Sequence, residues 1–419
     1  MCGVHYLVQW SRGLFGLGQS FILLAATAVS VVVSSAASSA TDEPPQSAVA
    51  SLKKESVAEA AYVGDEDCRS CHQNLVSTYH LTAHYITSRL PAKDSISGKF
   101  TAGSNILATL NTNLFFEMDA TEQGFFQTAV MRQSPTDMVY RAERFDVVIG
   151  SSRKGQTYLF WKGGQLFELP VSYWVGLDEW VNSPGYRDGS AFFSKGVTPR
   201  CLECHATSFK SLTPPLNRYD KTSLVLGITC EKCHGPGGGH AARYRAQPPP
   251  KSPSETAIIN TARLSRDRQI DLCALCHSGG SPLPSVPSLS YKPGDVLAKF
   301  LDIPIPAPNA HVDVHGGQVH LLKRSRCFQS SETMTCTTCH NVHTPQRDLA
   351  TFASNCLACH KVERCGVFPK LGHEIDGKCV ICHMPLQPTD QIISSVNGKQ
   401  LQPEVRNHQI GIYPEVHLP

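Results

Sequence analysis

Residues 230–240 read CEKCHGPGGGH. The first five letters set a frame, Cys-x-x-Cys-His, which the chain repeats seven times. The instances are Cys68-Cys71-His72, Cys201-Cys204-His205, Cys230-Cys233-His234, Cys273-Cys276-His277, Cys336-Cys339-His340, Cys356-Cys359-His360 and Cys379-Cys382-His383. Random placement of the chain's cysteines and histidines gives about 0.03 such matches, so the frame carries chemistry. Two thiols add across the two vinyl groups of one haem, and two intervening residues match that separation. The adjacent imidazole then meets the iron as proximal ligand.

Other readings of so many cysteines fit less well. Zinc ribbons use paired C-x-x-C, and Cys336/Cys339 with Cys356/Cys359 have a ribbon-like gap, but the other gaps are wrong and zinc does not require the histidine. A thioredoxin-like site needs one C-x-x-C. Disulfides do not need the histidine either. The frame therefore predicts seven covalent haems c, with the fourteen motif cysteines as thioether donors and the seven motif histidines as proximal ligands.

Each iron has a second axial position. Apart from His5, ten histidines lie outside the motifs: His80, His84, His240, His311, His315, His320, His343, His373, His408 and His417. We expect distal ligands among His80, His84, His240, His315, His343, His373 and His408. With six methionines in the chain, His/Met pairing is expected to be rare and the haems mostly bis-His, of comparatively low potential. Tyr79–Leu90 reads as a helix ending before Pro91, which would put His80 and His84 on one face. His343 follows His340 too closely to reach the far side of the same haem, so it should serve another. The segment around His315, VHGGQVHLLKRSRC (314–327), reads as a helix weakened by two glycines. Besides Cys2, Cys327 and Cys365 fall outside the motifs and are expected to form a disulfide, with an axial thiolate as the other role open to Cys327.

Thirty-eight Lys and Arg face 35 Asp and Glu, a formal charge of +3. No nucleic-acid partner is expected from so even a balance. Seven haems would add about 14 propionate charges, so the holoprotein should be acidic. Residues 1–40, with Arg12, an apolar run from Phe21 to Val33 and small residues after it, read as an export signal or an uncleaved anchor. Residues 41–61 read as a linker and 62–92 as the first haem-binding segment. Residues 93–195 read as a β-rich insertion and 196–419 as a six-haem domain. In the insertion, Phe115–Met118, Phe125–Met131 and Met138–Ile149 read as strands. Gln156–Trp161 and Gln165–Trp174 read as a hairpin over Lys162-Gly163-Gly164. Trp161, Tyr173, Trp174 and Trp180 are its expected core. The last 35 residues read as extended. The whole is expected to be mainly α with many loops, organised around its haems.

CEKCHGPGGGH, SRCFQSSETMTCTTCHNVH (325–343), HEIDGKCVICHMP (373–385) and DCRSCHQNLVSTYHLTAH (67–84) resemble the haem units of a superfamily of multihaem cytochromes c. Its members include tetrahaem carriers of nitrifiers, pentahaem nitrite reductase and octahaem hydroxylamine oxidoreductase. The resemblance implies that His240, His343 and His373 are distal ligands. LPVSYW (169–174) and WVNSPGYRDG (180–189) resemble an insertion found in some members. All seven motifs here end in His, so the CxxCK catalytic motif of nitrite reductase has no counterpart. The expected function is therefore exported, periplasmic electron transfer, with other cytochromes or quinone-linked membrane complexes as redox partners. The alternative is a reductase or oxidase of a small nitrogen or sulfur compound at one open haem.

Overall fold

The computed structural model describes residues 61–248, 258–283 and 286–414. The expected export signal, all but the last residue of the expected linker, and His417 lie outside the described residues.

Each motif folds as a helical turn. The helices Asp65–Tyr79, Pro199–His205, Cys230–His234, Arg266–His277, Leu349–Leu357 and Cys379–His383 each hold or enter a motif, and Cys336–Thr338 forms a 3-10 turn. Residues three and four apart share one helix face. Both thiols and the imidazole therefore project together. The backbone bonds from His340 N to Cys336 O (3.0 Å) and from His360 N to Cys356 O (2.9 Å) close two of these turns. Gly235, at φ 77°, ends the Cys230–His234 helix in a conformation that favours glycine.

The expectation of a mainly α chain is overturned. Helix makes up 27% of the described residues and strand 25%, in several antiparallel sheets. The strands are not confined to one segment. In chain order they begin β1 Ser88–Arg89, β2 Ile106–Ala108, β3 Leu114–Thr121, β4 Gly124–Ser134, β5 Asp137–Arg144 and β6 Val147–Ile149. There follow β7 Gly155–Lys162, β8 Gln165–Glu168, β9 Val171–Trp174, β10 Glu179–Asn182, β11 Ala206–Ser211 and β12 Tyr219–Leu226. Four more short strands lie within 386–406, where the chain is extended as expected.

Strands β2 to β5 form a meander. An eight-stranded sheet runs β1-β6-β7-β9-β10 and continues into Ser394–Val396 and Lys399–Leu401, with β8 paired to β7. Phe116 and Met118 of β3 share one core cluster with Phe145, Tyr158, Phe160, Tyr173 and Trp180. Of the four expected core aromatics, Tyr173 and Trp180 are buried, while Trp161 and Trp174 are half-buried. The segment 138–149 divides at Phe145-Asp146 into strands of different sheets. The β7–β8 hairpin turns on Gly163 and Gly164, both at positive φ, with Lys162 opposite Gln165.

A second cluster places this β layer against the motifs. Val147, Leu159 and Leu166 pack with Leu202 of the Pro199–His205 helix and with Ala206, Phe209 and Tyr219.

The helix expected over Tyr79–Leu90 is not formed. The helix before it, Asp65–Tyr79, ends there, and a 3-10 turn at Tyr85–Thr87 leads into β1. Thr82 Oγ1 donates to Tyr79 O (2.7 Å) and accepts from Tyr85 N (3.3 Å), so its side chain competes with helical bonding. His80 and His84 consequently point to different surroundings. Around His315, helices form only at Gln318–Lys323 and Arg326–Gln329, after the two glycines. Among the described residues no helix is long and apolar enough to cross a membrane.

Candidate functional site

One continuous cavity of ≈ 2910 Å³ runs through the motif-bearing part of the molecule. A typical small-molecule pocket holds about 300–1,000 Å³, so this space suits several large groups. All seven motif histidines and every motif cysteine except Cys201 line it. Cys201 lies against Thr198 Oγ1 at 3.4 Å and joins the second core cluster.

Of the expected distal ligands, His84, His240, His315, His343 and His408 line the same cavity. Four imidazole pairs face one another across it. His72 and His240 have ring centroids 6.3 Å apart, His234 and His343 6.1 Å, His340 and His408 6.1 Å, and His84 and His277 6.3 Å. An imidazole nitrogen binds a metal at about 2.0 Å and lies about 1.1 Å from its ring centre, so two imidazoles on one metal put their centroids about 6.2 Å apart. The four pairs stand at that span, each joining a motif histidine to one from elsewhere in the chain.

Hydrogen bonds orient several of these rings. His234 Nδ1 lies 2.8 Å from Ile259 O, His383 Nδ1 2.7 Å from Gly411 O, and His408 Nδ1 3.2 Å from Arg406 O. An Nδ1–H donated to a carbonyl leaves Nε2 free as a ligand. His205 Nδ1 lies 3.0 Å from Thr87 Oγ1. His240 Nδ1 is buried with no hydrogen-bond partner, the kind of atom a metal satisfies. Desolvation by surrounding protein depresses the basicity of His205, His277 and His408, each to a pKa of about 4, and that of His315 in the same direction. These rings stay neutral at ordinary pH, as iron ligands must. The residues fit covalent haem, which would supply the redox-active iron.

The other two expected distal ligands are placed differently. His80 has both ring nitrogens engaged, Nε2 with Asp65 Oδ2 at 3.1 Å and Nδ1 with Arg69 Nη2 at 3.2 Å, and its ring stacks on Tyr85. His373 is exposed, with Nδ1 3.1 Å from Asp376 Oδ2 and its ring against Phe368. Neither lines the cavity. His311 pairs with Asp390, and His320 with Ser278 O. Cys327 and Cys365 are free thiols on the cavity wall. Both are free, so the expected disulfide is not formed.

Two carboxylates that the sequence reading passed over tie the first motif to the third. Buried Glu231 accepts from Val63 N (2.9 Å), Gly64 N (2.9 Å) and Gly237 N (2.8 Å). Asp65 Oδ1 accepts from Cys230 N (3.2 Å). Glu231 occupies a variable position of its motif, so the frame itself gives no signal of the role.

Residues 188–235, which hold the second and third motifs, match the sequence pattern of the family described as cytochrome c554 and c-prime. No curated protein sequence matches the chain. Among solved structures, the outer cell wall cytochrome OcwA aligns with a TM-score of 0.52 at 18% identity, over 83% of this chain and 79% of that one. The fold is similar to that of a known cytochrome, and the seven motifs are of the kind that attaches haem. A larger structure, the undecahaem cytochrome from the S-layer of Carboxydothermus ferrireducens, aligns over 85% of this chain and 52% of its own at 16% identity, with a TM-score of 0.38. In this chain the short motif helices and the segments between them stand around one cavity, and between Thr87 and Cys204 only Arg153 lines it.

Proposed function

We propose that this chain is an exported electron carrier that holds seven haems c and passes electrons from one to the next. The observation that carries this reading is the set of four imidazole pairs facing each other at the span of one iron. On it, His72 and His240 would hold the iron of the Cys68/Cys71 haem, and His234 and His343 that of the Cys230/Cys233 haem. His277 and His84 would hold the iron of the Cys273/Cys276 haem, and His340 and His408 that of the Cys336/Cys339 haem. For the haem of Cys201/Cys204 we assign His315 to His205, because it is the expected distal ligand on the cavity wall that the four pairs leave unused. Bis-His irons exchange electrons without taking up substrate. The sequence reading of residues 1–40 as an export signal supports a site of action outside the cytoplasm, and so does the name of the solved structure with the similar fold. Redox partners would be other cytochromes or quinone-linked membrane complexes.

A second reading is a reductase or oxidase of a small nitrogen or sulfur compound. It rests on one place: among the described residues no imidazole stands opposite His360 or His383, and Cys359 and His360 are exposed. Stopped-flow mixing separates the two. The carrier reading expects the reduced holoprotein to be re-oxidised rapidly by a ferric c-type cytochrome, and nitrite, hydroxylamine, tetrathionate and sulfite to leave its spectrum unchanged. Turnover with any of the four small compounds would favour the enzyme. Failure to re-oxidise with either class would count against both.

A further inference from the structure

The motif helices do not pack as a simple series. The helix Arg266–His277 packs against both Pro199–His205 and the Cys336–Thr338 turn. Its two thiols reach different motifs: Cys276 pairs with Cys204, and Cys273 with Cys336. Cys233 lies near Cys273, and Lys232 stands among Cys204, Cys233 and Cys276, side chains of three motifs. Elsewhere the contacts are serial. Cys68 pairs with Cys230, and the helix Asp65–Tyr79 packs on Cys230–His234. Asn355 Nδ2 donates to Cys339 O (3.2 Å), Cys356 lies near Cys339 and Cys379, and the helix Cys379–His383 packs on Leu349–Leu357. Thioether sulfurs mark porphyrin edges, so motifs whose thiols or helices lie together mark neighbouring haems.

The same motif differs in its facing imidazoles. The ring planes of His84 and His277 cross at 74°, whereas the other three pairs lie at 19°, 18° and 21°. His84 is fixed from behind. Its carbonyl accepts from Ile228 N (3.0 Å) and Thr87 N (3.3 Å), and Gly227, at φ +73°, passes so close to the Tyr85 carbonyl that no Cβ fits.

We propose that the haem of Cys273 and Cys276 is the branch point of the electron path and is electronically set apart by crossed axial imidazoles from His84 and His277. The proposal rests on the carrier reading above. Three arms leave this haem. One runs through the Cys230 motif to the Cys68 motif. The second ends at the Cys201 motif. The third runs through the Cys336 and Cys356 motifs to the Cys379 motif. Each hop oxidises one ferrous haem and reduces its ferric neighbour, with no bond made or broken. A branched path gives three terminal haems at which partners can exchange electrons, where a linear stack has two. In low-spin ferric iron, near-parallel imidazole planes split the two iron π orbitals and give a rhombic EPR signal. Crossed planes leave those orbitals close in energy and give a single steep feature at much larger g.

Low-temperature EPR of the oxidised holoprotein tests the electronic half. The expected spectrum has one large-g low-spin signal beside rhombic ones, and His84→Met removes that signal while the rhombic ones stay. Absence of a large-g signal from the unaltered protein, or its survival in His84→Met, overturns the assignment; the first readout stands even if the variant fails to fold. A holoprotein structure with haems in place tests the branch. Three porphyrins against the haem of Cys273/Cys276 are expected, and a linear stack overturns it. Seven haems in a linear stack would leave the carrier reading intact, whereas loss of re-oxidation by a cytochrome would remove that reading whatever the stacking.

Discussion

At the scale of single residues, the structure separates histidines that share a cavity from histidines that hold the chain together. His240 faces His72 across the cavity, so His240→Ala should leave one haem without its distal imidazole. The expected result is a new high-spin signal in the EPR and absorption spectra, about one haem in size. His80 bridges Asp65 and Arg69. His80→Ala should leave the haem spin states unchanged and destabilise the protein by about 1–2 kcal/mol, read by denaturant titration, because half-buried hydrogen bonds to charged groups are lost. The pH dependence comes from the same surroundings. His205, His277 and His408 are held at a pKa of about 4 by desolvation, against about 6.5 in the unfolded chain. As pH falls below 6.5 the unfolded state takes up protons that the folded state refuses. Their contribution to stability is therefore complete above pH 6.5 and is lost as pH falls towards 4. Iron on the same rings acts in the same direction. Denaturant midpoints should be lower at pH 5 than at pH 7, and equal midpoints would contradict this.

At the scale of elements, Trp180 anchors the β layer. It is almost fully buried, its indole N–H donates to Lys99 O (2.9 Å), and Gly98 lies against its ring. Trp180→Ala should cost about 3–5 kcal/mol, read by thermal unfolding. The low-spin haem spectrum should change little, because Trp180 lies away from the cavity. The seven motif turns were legible in the sequence because a covalent cofactor demands one fixed spacing. The β7–β8 hairpin was legible through its Gly163-Gly164 turn. The balance of helix and strand was not legible, because a motif needs only one turn of helix and leaves the conformation of the residues after it open. The Tyr79–Leu90 helix failed for a related reason. Thr82 bonds its own backbone, an alternative that periodicity does not reveal. The i, i+4 spacing of His80 and His84 therefore had no common face to act on.

At the scale of the whole molecule, pairing across the chain was the part that the sequence hid. His72 meets His240, and His340 meets His408, because the cavity brings distant segments together. Local context favoured His80 and His373, which lie outside the cavity wall, as strongly as His84 and His315, which line it. The cavity also explains why so loop-rich a chain forms a defined structure. Much of its apolar wall faces space that haem would fill, so burial there depends on the cofactor. Blocking haem attachment should leave the motif region unfolded and protease-sensitive, with cleavage mapped by mass spectrometry to residues 196–414 before the strands of residues 106–182. Carrier, branch point and cofactor-dependent folding all require that each of the seven motifs hold its own haem. Intact mass and haem-to-protein ratio, measured on protein made in a host with the maturation machinery and with its N-terminus mapped, test this directly. The expected values are the mass of the mapped chain plus seven haems, and a ratio of seven. Fewer haems, or zinc in place of iron, would contradict it.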